Sequence, residues 1–121
     1  MQKSNLRDLT AFITADGSAI RELAGPAWTA ARNQSLAEAT VAPGEATAEH
    51  YHPRSEELYY FVAGEGRMRL DQDEAPVSAG DCVVIAPGTA HKLWNTGATP
   101  LVLLCCCAPA YSDDDTVMTG G

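Results

Sequence analysis

The chain has 121 residues, an apolar fraction of 45% and a formal net charge of −8, which bounds it to one domain built on a single core. Lys3 and Lys92 are its only lysines and no basic run exists, so a nucleic-acid partner, which needs clustered Lys and Arg, is excluded. No apolar run reaches the ~18 residues of a bilayer span, and the start lacks a charged segment followed by an apolar one, so neither a membrane span nor a signal peptide is expected.

Residues 1–32 read as an N-terminal arm. Within it, Asp16 to Pro26 has the pattern of a short capped helix, with Asp16 or Ser18 at its start and Gly25-Pro26 at its stop. The arm could instead add a strand to a neighbouring subunit. From Asn33 the pattern turns to β. Along Gln34–Val41, one face carries Gln34, Leu36, Glu38 and Thr40 and the other Ser35, Ala37, Ala39 and Val41. Both faces are mixed, so either could line an interior; if the first does, Gln34 and Glu38 become polar contacts for a substrate. Pro43-Gly44 is a turn signal, Ala46 to Tyr51 the next strand, and Pro53 its stop.

Leu58–Val62 is aromatic and β-branched, the composition of a half-buried strand. Tyr59 and Phe61 share the parity of Glu57, opposite Glu56. Arg67 to Leu70 is a strand with Met68 and Leu70 inward and the two arginines solvated. Asp71 to Glu74 reads as an exposed hairpin turn, Pro76 to Ala79 as a short edge piece, and Asp81 to Ile85 as a buried strand. Pro87-Gly88 bends the chain before His91, Asn95 to Gly97 is a turn, and Leu101 to Cys107 is a long apolar strand. Residues 111–121 form a polar tail in which Asp113 to Asp115 is solvated charge. Many short strands between Gly and Pro turns predict an all-β sandwich or barrel.

Alternation turns Cys105 and Cys107 one way and Cys106 the other, so the three thiols cannot converge on one ion and are read as small apolar packing groups. The adjacent cysteines, with Cys82 apart, suit a reducing cytoplasm rather than a disulfide framework. The three histidines are more informative. All of them fall in two stretches, Gly44–Gly64 and Gly80–Asn95, and alternation puts His50 and His52 on one face. Three imidazoles and a carboxylate form a mixed N/O donor set suited to a divalent transition metal.

Those stretches resemble the two motifs of the cupin superfamily. The first runs Gly44, His50, His52, Glu57, Gly64 without a gap; the second runs Gly80, Gly88, His91, Asn95, with Ala86 where the family has proline and Pro87 in the next, variable place. The resemblance covers residues 33–110 and implies a double-stranded β-helix, or jelly roll, flanked by the arm and the tail. It also implies that His50, His52, Glu57 and His91 bind one divalent metal, with Mn, Fe, Co, Ni, Cu and Zn all admitted.

Small single-domain cupins, such as those resembling mannose-6-phosphate isomerase, include isomerases, lyases, decarboxylases, cyclases and dioxygenases. The expectation is therefore a cytoplasmic metal-dependent enzyme acting on a small polar metabolite, by isomerase- or lyase-type carbonyl or enediolate chemistry or as an oxygen-dependent dioxygenase. With every imidazole on the metal, proton transfer falls to metal-bound water, Glu38 or Tyr59. The solvated arginines leave Arg32 as the only other nearby cation, which disfavours a phosphorylated substrate. The competing readings are a non-catalytic cupin that stores or senses a small ligand, and a structural dimer that has lost its site. A homodimer is expected in each case, because pairing covers a β edge.

Overall fold

A computed structural model describes residues 1–121. Its strands are β1 (Phe12–Ile13), β2 (Ala19–Ala24), β3 (Ser35–Val41), β4 (His50–Tyr51), β5 (Glu56–Ala63), β6 (Glu65–Leu70), β7 (Asp73–Ser78), β8 (Cys82–Ile85), β9 (His91–Asn95), β10 (Leu101–Ala108) and β11 (Val117–Met118). They form two antiparallel sheets: six strands in the order β1-β2-β3-β10-β5-β8, and five in the order β11-β4-β9-β6-β7. This is the double-stranded β-helix. No helix is long and apolar enough to cross a membrane.

Strand parity builds the interior. In β5, Glu57, Tyr59 and Phe61 are buried while Glu56, Leu58, Tyr60 and Val62 are exposed. Its partner β10 sets Cys105 opposite Tyr59 and Cys107 opposite Glu57, so both cysteines share the inward face. Phe61, Ile85, Leu93, Leu101 and Leu103 fill the core, each burial contributing about 1.5–3 kcal/mol. Gly64 closes the β5–β6 connection at φ +88, and a Cβ there would lie 2.6 Å from the Pro100 carbonyl oxygen. Both the backbone angle and the close approach require glycine.

The arm departs from the helix expected over Asp16 to Pro26. Residues 19–24 are a strand instead, pairing Ile20 with Ala39 and Arg21 with Glu38 on β3 of the same chain. Asp16 caps a turn rather than a helix: its Oδ1 accepts from the Ser18 backbone N–H at 2.9 Å, and Gly17 sits at φ +90. An aspartate bonding the N–H two residues on serves either structure; the free edge of β3 decides for the strand. The tail departs too. Asp115, expected in solvent, is buried, and β11 pairs with β4. The expected turn over Asp71 to Glu74 is tighter, with Leu70 already paired to Asp73 and Asp71 at φ 50.

Candidate metal centre

β4 and β9 place His50 directly opposite His91, and His52 follows two residues on, just past the end of β4. The ligating nitrogens of the three lie within 4.8 Å of one another, a cluster that could hold a metal ion. Each ring is held from behind by a backbone carbonyl. Nδ1 of His50 meets the Ala48 oxygen at 3.0 Å, that of His52 the Asp115 oxygen at 3.0 Å, and that of His91 the Thr89 oxygen at 2.9 Å. A carbonyl only accepts, so each Nδ1 carries the proton and each neutral ring presents a lone pair on Nε2.

Glu57 enters from β5. Its Oε1 lies 3.3 Å from His52 Nε2 and 3.4 Å from His91 Nε2. Lone pairs then face lone pairs in a buried place, and neither Glu57 Oε1 nor His91 Nε2 has a hydrogen-bond partner. Only a proton or a cation between them relieves this. The donor chemistry and the orphaned atoms both fit a divalent transition metal. The charges respond in kind. Where a proton on His52 or His91 rather than a cation fills that place, burial would raise the Glu57 carboxyl, but the hydrogen bonds the protonated rings donate outweigh it and hold it at about 2. Burial lowers His50; it acts the same way on His52, where Glu57 more than compensates and the net direction is up.

The other oxygen of Glu57 accepts from Cys107 Sγ at 3.2 Å. Burial and the adjacent carboxylate push this thiol upward, so it remains a donor that orients Glu57. Cys106 faces outward toward Gln34, 4.0 Å from its Oε1.

Of the two residues expected to move protons, only Tyr59 reaches the site. It is buried in the cavity wall with its ring centroid 5.9 Å from that of His91. Burial first, and the Glu57 charge second, push its hydroxyl well above the ordinary value. Glu38 lies outside the cavity. Ser35, Ala37, Ala39 and Val41 turn inward instead, and Glu38 Oε1 is held on the outer face by Arg21 Nε at 2.9 Å and Nη2 at 2.6 Å. With burial of Ala39 and Val41 at stake, the polar face goes outward.

Two residues that local sequence patterns do not single out complete the site. Asp115 accepts from the Arg54 and Ser55 backbone N–H groups, each at 3.0 Å, while its own carbonyl orients His52. Asp16 points Oδ2 at His50 Nε2 from 4.0 Å. No local pattern ties residue 115 to a segment some 60 residues earlier, and Asp16 carries only the generic signature of a cap.

The cluster opens on a cavity of about 790 Å³ whose walls include His50, His52, Glu57, Tyr59 and Asp16. Ile20, Ala37, Ala39, Val41 and Leu103 give it apolar sides, and the half-exposed Phe12, Ile13, Tyr111 and Met118 stand at its rim. Its acids are Asp16, Glu22, Glu57 and Asp113; no Lys or Arg lines it.

A jelly roll carrying three converging histidines defines a class, and the sequence agrees with it: the Cupin_2 cupin-domain family matches residues 37–107, and the chain belongs to that family. Among curated proteins it is similar to MJ1618 of Methanocaldococcus jannaschii, 46% identical over 114 residues that cover 94% of this chain and 91% of that protein. It is also 30% identical over 84 residues to the tetracenomycin polyketide synthase protein TcmJ of Streptomyces glaucescens, covering 69% of this chain and 56% of that protein. Among solved structures, the nucleoside dehydratase Pac13, also represented by Streptomyces variants with uridine, superposes with a TM-score of 0.81 over 99% of this chain and 92% of that one. At 19% identity that likeness speaks to the fold alone.

Proposed function

We propose that His50, His52, Glu57 and His91 together bind one divalent transition metal, and that the chain is a metal-dependent enzyme acting on the carbonyl group of a small, uncharged metabolite by isomerase- or lyase-type chemistry. The observation that carries this reading is the pair of buried, partnerless atoms, Glu57 Oε1 and His91 Nε2, facing each other. A divalent metal bound there supplies Lewis-acid polarisation of a substrate oxygen.

The remaining work belongs to the chain. The three carbonyl-bound Nδ1 atoms fix the ring orientations, and with each Nε2 engaged no histidine is free as a general base. Tyr59, kept protonated by burial, is suited to donate a hydrogen bond to the substrate. The apolar walls offer contact to the rest of the ligand.

A reducing cytoplasm fits the four free cysteines. A homodimer fits the exposed Leu58, Tyr60, Val62 and Val84 on the outer face of β5 and the edge strand β8, which a second copy would cover.

The test is solvent exchange. Metal-loaded chain is incubated in D2O under argon with neutral α-hydroxyketones, α-hydroxyacetophenone and dihydroxyacetone among them, and the α-protons are followed by NMR. Exchange that is lost in His52→Ala is expected. Turnover that requires dissolved oxygen would replace this chemistry with that of a dioxygenase, and tight retention without exchange would replace it with storage.

A further inference from the structure

The metal-binding cluster leaves unexplained the carboxylate of Asp16, in the turn between β1 and β2. The turn is tied down: Thr14 N–H donates to the Ser18 carbonyl at 3.1 Å, and Ala48 N–H donates to the Asp16 carbonyl at 2.8 Å, two residues before His50. Within it, Asp16 Oδ1 accepts three hydrogen bonds, from Thr14 Oγ1 at 2.7 Å, Ser18 N–H at 2.9 Å and Ser18 Oγ at 2.6 Å. Oδ2 accepts none and faces His50 Nε2 across 4.0 Å on the cavity wall. One oxygen anchors the group, and the other is presented to whatever occupies the cavity beside the histidines.

We propose that Asp16 selects the ligand: its free Oδ2 accepts a hydrogen bond from a ligand hydroxyl next to the oxygen bound at the His cluster, and repels carboxylate or phosphate at the same place. This rests on the metal reading above and specifies the substrate class. A metal with three neutral imidazoles and Glu57 leaves one net positive charge, and Asp16 cancels it, so a dianion finds no surplus charge to meet. No Lys or Arg lines the cavity to supply one. Ile20, Ala37 and Leu103 instead offer apolar contact to the remainder of the ligand. The substrate is therefore an uncharged hydroxy-carbonyl or vicinal-diol compound of about ring size, rather than a dicarboxylate or a sugar phosphate.

The test uses metal-loaded full-length chain and two probes, α-hydroxyacetophenone and oxalate, titrated by calorimetry into wild type and Asp16→Asn. Asparagine keeps the Oδ1 acceptor and replaces the free oxygen with a donor. Wild type is expected to bind the ketone more tightly than oxalate, and Asp16→Asn to shift that ratio toward oxalate by about tenfold or more. Elemental analysis is expected to give the variant the metal content of wild type. Tighter oxalate binding by wild type, an unmoved ratio in the variant, or metal lost with Asp16 would each overturn the assignment. The first of these decides even if the variant does not fold. Wild type that holds no metal at all would remove the reading under Proposed function and this one with it, whereas metal held with an unmoved ratio removes this one alone.

Discussion

Asp115→Ala tests how the site is clamped. The Asp115 side chain is 4% exposed and accepts from Arg54 N–H and Ser55 N–H at 3.0 Å each, with Arg54 Nε at 3.2 Å. Truncation orphans both backbone donors. The Ser55 bond is fully buried, and leaving its donor unpaired costs about 1–3 kcal/mol; the partly buried Arg54 N–H costs about 1 kcal/mol. The Arg54 side chain is 70% exposed, so its ion pair adds little. The sum is about 2–4 kcal/mol, read as a lower urea midpoint at constant m on chelator-treated protein, which removes the contribution of metal binding. Because the carbonyl of Asp115 also holds Nδ1 of His52, metal affinity should fall roughly 10- to 100-fold. A variant within about 0.5 kcal/mol of wild type, with unchanged metal affinity, would refute the clamp.

The same carboxylate sets an acid limit. Burial would raise its pKa, but the bonds from Ser55 and Arg54 outweigh it and the folded value lies below the ordinary one. Its stabilisation is thus full above the unfolded value of about 4 and is lost as pH falls through the folded one; the gap between wild type and Asp115→Asn in urea should narrow below about pH 4. Gly64→Ala forces a side chain into a left-handed backbone and against the Pro100 carbonyl, and thermal melts should show a loss of about 2 kcal/mol or more. Glu38→Gln weakens a largely buried pair with Arg21; it should cost about 1–3 kcal/mol in urea and leave ligand affinity unchanged by calorimetry.

Much of this was legible in the residues because strand parity is local. His50 and His52 two apart, and Glu57, Tyr59 and Phe61 at alternate positions, point where alternation sends them, as do Cys105 and Cys107. What the chain does not encode locally is which partner an ambiguous segment finds. Asp16-Gly-Ser18 suits a helix cap and an Asx turn equally, and the free edge of β3 resolves it. Both faces of β3 are mixed, and burial of Ala39 and Val41 together with the pairing of Glu38 to Arg21 turns the more polar one outward. Asp115 gains its role from groups at residues 52–55 that meet it only after the sheets close.

The most direct measurement is the metal content of protein purified without added metal, determined by elemental analysis for wild type and His52→Ala. About one equivalent of a first-row transition metal per chain is expected in wild type, and a small fraction of that in the variant. Full retention in His52→Ala, or a wild type that takes up no such metal even when it is supplied, would contradict the assignment of His50, His52, Glu57 and His91 to a common ion.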